Sequence, residues 1–316
     1  LRLSDVQSFF ADKGLSFSWS AVATPAAPLR VDVSVVIPDV HLGVGPGDAF
    51  QESDPSRVTR LETFLDVLAN LRDALPAGRF AAVQLGDFFD VMRSSKPGAS
   101  FDDRLDIVFK AYPGVASRAR ALPLLHCIGN HDHELWNNQT TVEHLGINAH
   151  IVRAIGPGVL AFHGHDLISL RDEELSVAYQ TWLLSLVQGL VDMPVLGPVA
   201  DAIERFFDQS LADPIFDAPQ FTSLPWPASS VSVPGWTAPW IMRDNQEQLG
   251  EPLLDWERTI EQRLELAIVG HSHRPGIGSC EVDFGRRIPL VDVGSWTYGR
   301  SNFAVVCADG VGVASL

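Results

Sequence analysis

Cysteine is scarce in this chain. Among 316 residues there are three, Cys127, Cys280 and Cys307, and no CxxC spacing. So sparse and odd a set excludes a disulfide framework and points to a reducing compartment, so a cytoplasmic location is expected. Basic residues are also few: 23 Lys and Arg stand against 39 Asp and Glu, a formal net charge of −16. Such a surface repels phosphate backbones at long range and argues against nonspecific nucleic-acid binding. It leaves an anionic substrate open, because bound metal ions dominate the field of their own site. Long unbroken apolar runs are missing as well. The most apolar stretch, 182–199, is interrupted by Gln188, Asp192, Pro194 and Pro198. It reads as buried or interfacial, and no transmembrane segment is expected. No charged segment followed by an apolar one marks a secretory leader, and an opening without methionine fits a trimmed start.

What is present describes a folded protein. Hydrophobic residues make up 46% and charged residues 20%, enough for a large core in one domain with a substantial insertion. Residues 1–30 read as a lead-in, with a short helix from Ser4 and then an Ala/Pro-rich link. From 31 the pattern is α/β and continues to 316. Apolar and β-branched runs at 31–37, 80–85, 123–128, 159–162, 266–269, 288–293, 303–307 and 311–314 predict strands. Leu61, Phe64, Leu65, Leu68 and Leu71 recur at helical spacing within 56–75, and 101–122 reads as helix broken near Pro113-Gly114. Between about 170 and 258 the texture changes. Trp182, Leu183, Leu186, Leu190, Ile203, Phe206 and Phe207 suggest amphipathic helices, followed by a Pro- and Trp-rich stretch at 214–239. This segment reads as a helical cap inserted into the core domain.

Chemistry gathers at the strand ends. Asp39-Val40-His41 follows the first strand, Gly86-Asp87 the second, and Gly129-Asn130-His131-Asp132 the third. His163-Gly164-His165 follows the run at 159–162, and Gly270-His271-Ser272-His273 the run at 266–269. Ligands of α/β sheets bind beyond the carboxyl ends of the strands, so five such ends can share one crevice. Imidazole suits zinc, iron and related ions, while carboxylate and amide oxygens suit manganese and magnesium. Alternation in Asp39-x-His41 and His271-x-His273 puts both side chains of each pair on one side of an extended segment. Asp87, alone behind a glycine, suits a carboxylate shared by two ions.

These five blocks, in this order, resemble the calcineurin-like metallophosphoesterase family. The resemblance implies a four-layer α-β-β-α sandwich holding two divalent ions of the Mn/Fe/Zn class. One ion would be held by Asp39, His41 and His273, with Asp87 bridging. The other would be held by Asp87, Asn130, His163 and His271. His131 would be the catalytic imidazole, a general acid toward the leaving oxygen, and Asp132 would orient it by a carboxylate–imidazole hydrogen bond. The implied reaction is hydrolysis of a phosphate ester or phosphoanhydride by a metal-bridged hydroxide. The place of the insertion is similar to that in the UDP-diacylglucosamine pyrophosphatase branch, whose substrate carries lipid. A lipid-bearing phosphorylated substrate and peripheral membrane contact through the cap therefore stand as expectations. That branch favours His-Gly-Asp at the fourth block, where this chain has His163-Gly164-His165. Arg171, Arg205 and Arg243 are candidates to hold a diphosphate.

Other histidines invite blander readings. His126, inside an apolar strand, reads as structural; His144 and His150 read as surface or capping residues; His133 reads as structural. His165 stands evenly between a role beside the ligands or substrate and a purely structural one. Alternatives in function are a cyclic-nucleotide or other phosphodiesterase, and a noncatalytic scaffold that keeps metal for stability. A protein phosphatase is disfavoured by the large insertion, and a DNA nuclease by the charge.

Overall fold

The structure, a computed structural model, describes residues 1–24, 28–44, 50, 56–91, 100–122, 124–135, 148–150, 152–164, 224–225, 253–271, 273, 275–283, 285–297 and 300–316. Most of the 170–258 insertion, His144 and His165 lie outside these residues, as do Arg171, Arg205 and Arg243.

Two β-sheets form the body. The larger contains β1 (Ser18–Thr24), β2 (Val33–Ile37), β3 (Phe80–Gln84), β4 (Leu124–Cys127), β5 (Asn148–His150), β8 (Leu224–Pro225), β12 (Asn302–Cys307) and β13 (Gly310–Ser315). Its strand order is β5-β4-β3-β2-β12-β13-β1-β8. The smaller contains β6 (Val152–Gly156), β7 (Val159–Phe162), β9 (Leu266–Val269), β10 (Gly276–Asp283) and β11 (Arg286–Asp292), in the order β10-β11-β9-β7-β6. In the first, β2, β3 and β4 run parallel; in the second, β7 and β9 do. The ladder β2–β3 pairs Val33 with Phe80 and Ile37 with Gln84, so the two strands end together.

Period-2 alternation explains why the sheets lie face to face. Val36, Val83, Leu85, Cys127, Ala304, Val306, Val311 and Val313 from one sheet meet Val159, Ala161, Leu266, Ile268 and Val291 from the other in one buried cluster. The alternate residues Val33, Val35, Ile37, Phe303 and Val305 point the other way and pack with helices. Those helices are α1 (Leu3–Asp12), α2 (Arg57–Ala74), α3 (Phe101–Ala111) and α4 (Pro113–Ala121). Ser100 caps α3, its hydroxyl accepting from the Asp103 N–H at 3.2 Å while the Asp103 carboxylate reaches back. Pro113 opens α4 at the position where its missing N–H costs nothing. The break expected near Pro113 is therefore a boundary between two helices.

The lead-in enters the domain. β1 pairs antiparallel with β13, and Leu3, Val6 and Phe10 of α1 are buried against Phe303 and Phe64. Phe10 stacks on Phe303 at 5.7 Å, and Phe17 meets the same ring edge-on at 4.9 Å. β1 escaped the sequence reading because its buried positions are the small residues Ala21 and Ala23. The last residues of the insertion also join the body. The stretch 253–260 is helical, Leu253 is buried, and Glu257 accepts from Arg286 of β11 at 2.7 Å. Among the described residues no helix is long and apolar enough to cross a membrane.

Candidate metal centre

The parallel strands β2, β3 and β4 deliver their carboxyl ends to one edge of the larger sheet, and β7 and β9 deliver theirs beside it. Short main-chain bonds then knit the loops. The N–H groups of Val40 and His41 donate to the Asp87 carbonyl at 3.0 and 2.8 Å, and Asp90 N–H donates to Leu42 O at 2.9 Å. Gly270 N–H donates to His163 O at 3.0 Å, which joins the two loops of the smaller sheet. Across the sheets, His271 N–H donates to the Asp39 carboxylate at 3.0 Å. Trp296 N–H donates to the Asp39 carbonyl at 2.7 Å, so the loop after β11 holds Asp39 from behind.

Three groups of donors result among the described residues, two of them sharing Asp39 and the third made by His41, Asp90 and His131. Ligand atoms of Asp39, Asp87, His163 and His271 all lie within 4.8 Å of one another, and so do those of Asp39, His41 and His273. His163 Nε2 is 3.2 Å from Asp87 Oδ2, 3.0 Å from Asn130 Oδ1 and 3.2 Å from His271 Nδ1. In the other group that contains Asp39, His273 Nε2 is 3.2 Å from Asp39 Oδ2 and 3.1 Å from His41 Nε2. Asp87 Oδ2 also stands 3.8 Å from His41 Nε2. Both carboxylates thus lie between these two groups. All seven residues expected as ligands are brought together. Asp39, His41, Asp87, His163 and His273 are buried, and Asn130 and His271 are half-buried.

The backbone is strained where these side chains are presented. Five non-glycine residues among those described have positive φ, and four of them are His41, Asp87, His271 and His273. An L residue in this region costs about 1–2 kcal/mol, and such strain concentrates at functional sites. Room for Asp87 comes from Gly129: a Cβ there would sit 2.0 Å from Asp87 Oδ1.

Electrostatics agree with a site built to share charge. Burial works against ionisation of Asp87, yet the His163 and His131 charges beside it hold its carboxyl well below the usual range. Burial also opposes a charge on His163, but Asp87 and Asp39 outweigh it and raise the imidazole to about 9. Burial and the neighbouring His163 depress His271 to about 3. Several imidazoles and two carboxylates, most of them buried, form a donor set that could hold metal ions.

His131 sits at the edge of this centre. Its N–H donates to Asp87 Oδ1 at 2.8 Å. Its Nδ1 is 3.2 Å from Asp90 Oδ1, and the other Asp90 oxygen is 3.8 Å from His41 Nδ1. This corrects the expectation for Asp132. The Asp132 carboxylate instead accepts from the N–H groups of Gly129 at 2.8 Å and Phe88 at 3.0 Å, tying the loop of β4 to that of β3. Burial raises it to about 7. Asp90, missed in the sequence, was available as a second acid three residues after Asp87 on the same turn. His126 is buried, as expected, and His150 is exposed; the His133 side chain falls outside the described part.

No protein-family model matches this sequence, and no curated protein matches it. Among solved structures, the chain is similar to a conserved uncharacterised protein from Streptococcus pneumoniae described as a predicted phosphoesterase. The two are 12% identical, with 87% of this chain and 82% of that chain covered and a TM-score of 0.28. A likeness that slight carries no weight for fold or activity.

Proposed function

We propose that this protein is a binuclear metal-dependent phosphoesterase of calcineurin-like type, hydrolysing a phosphate ester or phosphoanhydride. One observation carries the reading: five strand-end loops from two sheets place Asp39, His41, Asp87, Asn130, His163, His271 and His273 around one point, in two overlapping donor groups. On this reading the two sheets and their flanking helices form a four-layer sandwich. The 170–258 segment is its cap, anchored at both ends beside His163 and His271.

Asp39, His41 and His273, with Asp87, would hold one cation; Asp87, Asn130, His163 and His271 would hold the other. Bound there, two divalent cations supply Lewis-acid stabilisation of the phosphoryl oxygens and activation of the attacking water. The chain's own groups do the rest. His163 Nδ1 lies 3.1 Å from the Leu85 carbonyl, which fixes that ring and turns Nε2 toward Asp87. Asp90 holds His131 by Nδ1, so Nε2 is the atom from which a proton passes to the leaving oxygen. Asp132 keeps the His131 loop against the Asp87 loop.

The test is a panel of a phosphomonoester, bis-p-nitrophenyl phosphate and a nucleotide diphosphate carrying lipid, offered to manganese-reconstituted protein. Expected are two cations per chain by elemental analysis and turnover that chelation abolishes. Cation uptake without turnover under Mn, Fe, Zn or Co would establish the noncatalytic scaffold instead. Preference for the lipid-bearing diphosphate would favour the pyrophosphatase branch, which rests on the insertion's position and its apolar run at 182–199.

A further inference from the structure

We propose that Gln84, backed by His126, is a positioning residue that sets the place of the Asp87 carboxylate. The inference rests on the metal reading above and adds to it two residues whose hydrogen bonds go to Gly86 and to each other.

Gln84 is the last residue of β3 and is wholly buried. Its amide straps both polar groups of one peptide unit's neighbourhood: Oε1 accepts from Gly86 N–H at 2.9 Å, and Nε2 donates to Gly86 O at 2.6 Å. The strapped turn is one the chain does not favour by itself. Gly86 has φ +103° and Asp87 φ +53°, two successive residues in left-handed space. The turn is also wedged, since a Cβ on Gly86 would sit 2.6 Å from Gly129 N. Asp87 is fixed on its far side by His131 N–H at 2.8 Å. Its distances to His163 (3.2 Å) and His41 (3.8 Å) therefore depend on how the Gly86 peptide is held.

His126 stands directly across the β3–β4 ladder from Gln84. Its Nδ1 is 3.3 Å from Gln84 Oε1. The ring packs edge-on to Phe88 at 5.6 Å and parallel to Phe89 at a centroid distance of 6.3 Å. A neutral imidazole donating from Nδ1 holds the amide oxygen toward Gly86 N–H and leaves the amide nitrogen for Gly86 O. Burial and the nearby Arg153 charge keep His126 neutral. The pair thus reads as a clamp, in which the amide offers a donor and an acceptor in one plane whatever the pH.

The test measures binding of manganese alone, and of zinc alone, to wild-type, Gln84→Met and Gln84→Glu chains by titration calorimetry from pH 6 to 8.5. Gln84→Met keeps the bulk and removes both hydrogen bonds; a loss of roughly 10–100-fold in cation affinity is expected. Gln84→Glu separates positioning from packing. A protonated carboxyl carries one donor and one acceptor, like the amide; an ionised one repels the Gly86 carbonyl. The Gln84→Glu to wild-type affinity ratio should rise toward one as pH falls, while the Gln84→Met ratio stays flat. His126, beside Gln84, and Arg153, whose charge acts on His126, are common to all three proteins. Wild-type affinity in Gln84→Met, or identical pH profiles for the two variants, would overturn the role of Gln84 alone. A wild-type chain that takes up no cation would overturn the metal reading and this role together. If Gln84→Met does not fold, the Gln84→Glu profile decides.

Discussion

His131 illustrates how a neighbouring group selects one nitrogen of an imidazole. An imidazole can donate from either nitrogen, and a neighbouring acceptor selects which. Here Asp90 Oδ1 lies 3.2 Å from Nδ1 and orients the His131 ring, while the second Asp90 oxygen stands 3.8 Å from His41 Nδ1. His131→Ala should keep its cations and lose about 10²–10⁴-fold in kcat on a substrate with a poor leaving group. Undiminished kcat on that substrate would remove His131 from the reaction. Asp90→Asn should lower kcat by about 10–100-fold with cation content retained; an effect confined to KM would count against orientation. Asp87→Ala should lose metal, and two cations per chain by elemental analysis would contradict its bridging place.

At the scale of elements, the centre depends on turns rather than on strands. The loops after β2 and β3 continue to pair past the sheet edge, through Val40, His41 and Leu42 against Asp87 and Phe88. The loop after β4 enters the remaining space only because residue 129 has no side chain. Gly129→Ala places a methyl group 2.0 Å from Asp87 Oδ1. One of the two must move, and weakened cation uptake in calorimetry is expected, with little change in far-UV circular dichroism. Uptake equal to wild type would show that the turn yields elsewhere. These turns also explain what the sequence hid. The strands at 159–162 and 266–269 were legible to the residue, because both carry unbroken apolar runs. β10 was not, because Gly276, Gly278, Ser279 and Cys280 carry little apolar signal, and its pairing with β11 is decided by the neighbour.

Among the described residues two buried clusters hold the molecule, one between the sheets and one that fills the outer faces of both sheets, with α1 to α4 packed on the larger. Phe303 joins Phe10, Phe17 and Phe64 in the second. Phe303→Ala should cost about 3–5 kcal/mol in urea unfolding, the range for a large side chain removed from a core. A loss under about 1 kcal/mol would mean that the site collapses around the change. Stability should also depend on pH through His126. Burial lowers its folded pKa to about 3 from 6.5. The unfolded chain therefore binds a proton that the folded chain refuses as pH drops below about 6.5. The penalty is absent above that pH, grows as pH falls toward about 3, and reaches at most about 1.4 kcal/mol per pH unit. In metal-free protein, His126→Gln should remove that part of the slope between pH 7 and 5. Parallel curves for the two proteins would show that His126 titrates normally.

Residues of donor type, and their position after apolar runs, can be read from the chain alone. Asp, Asn and His in short polar blocks after apolar runs are local features, and local features survive without coordinates. Most strands and the helix break at Pro113 can be read there too. The tertiary structure decided which carboxylate faces which imidazole. Asp132 is the sequence neighbour of His131, yet its oxygens turn inward to the N–H groups of Gly129 and Phe88, while Asp90 arrives from another strand. The physical reason lies in the turns: left-handed backbone at His41, Asp87, His271 and His273 redirects each side chain away from the course its strand would give it. Those conformations are unfavourable locally and are held by contacts between residues far apart in the chain, so no window of sequence contains them.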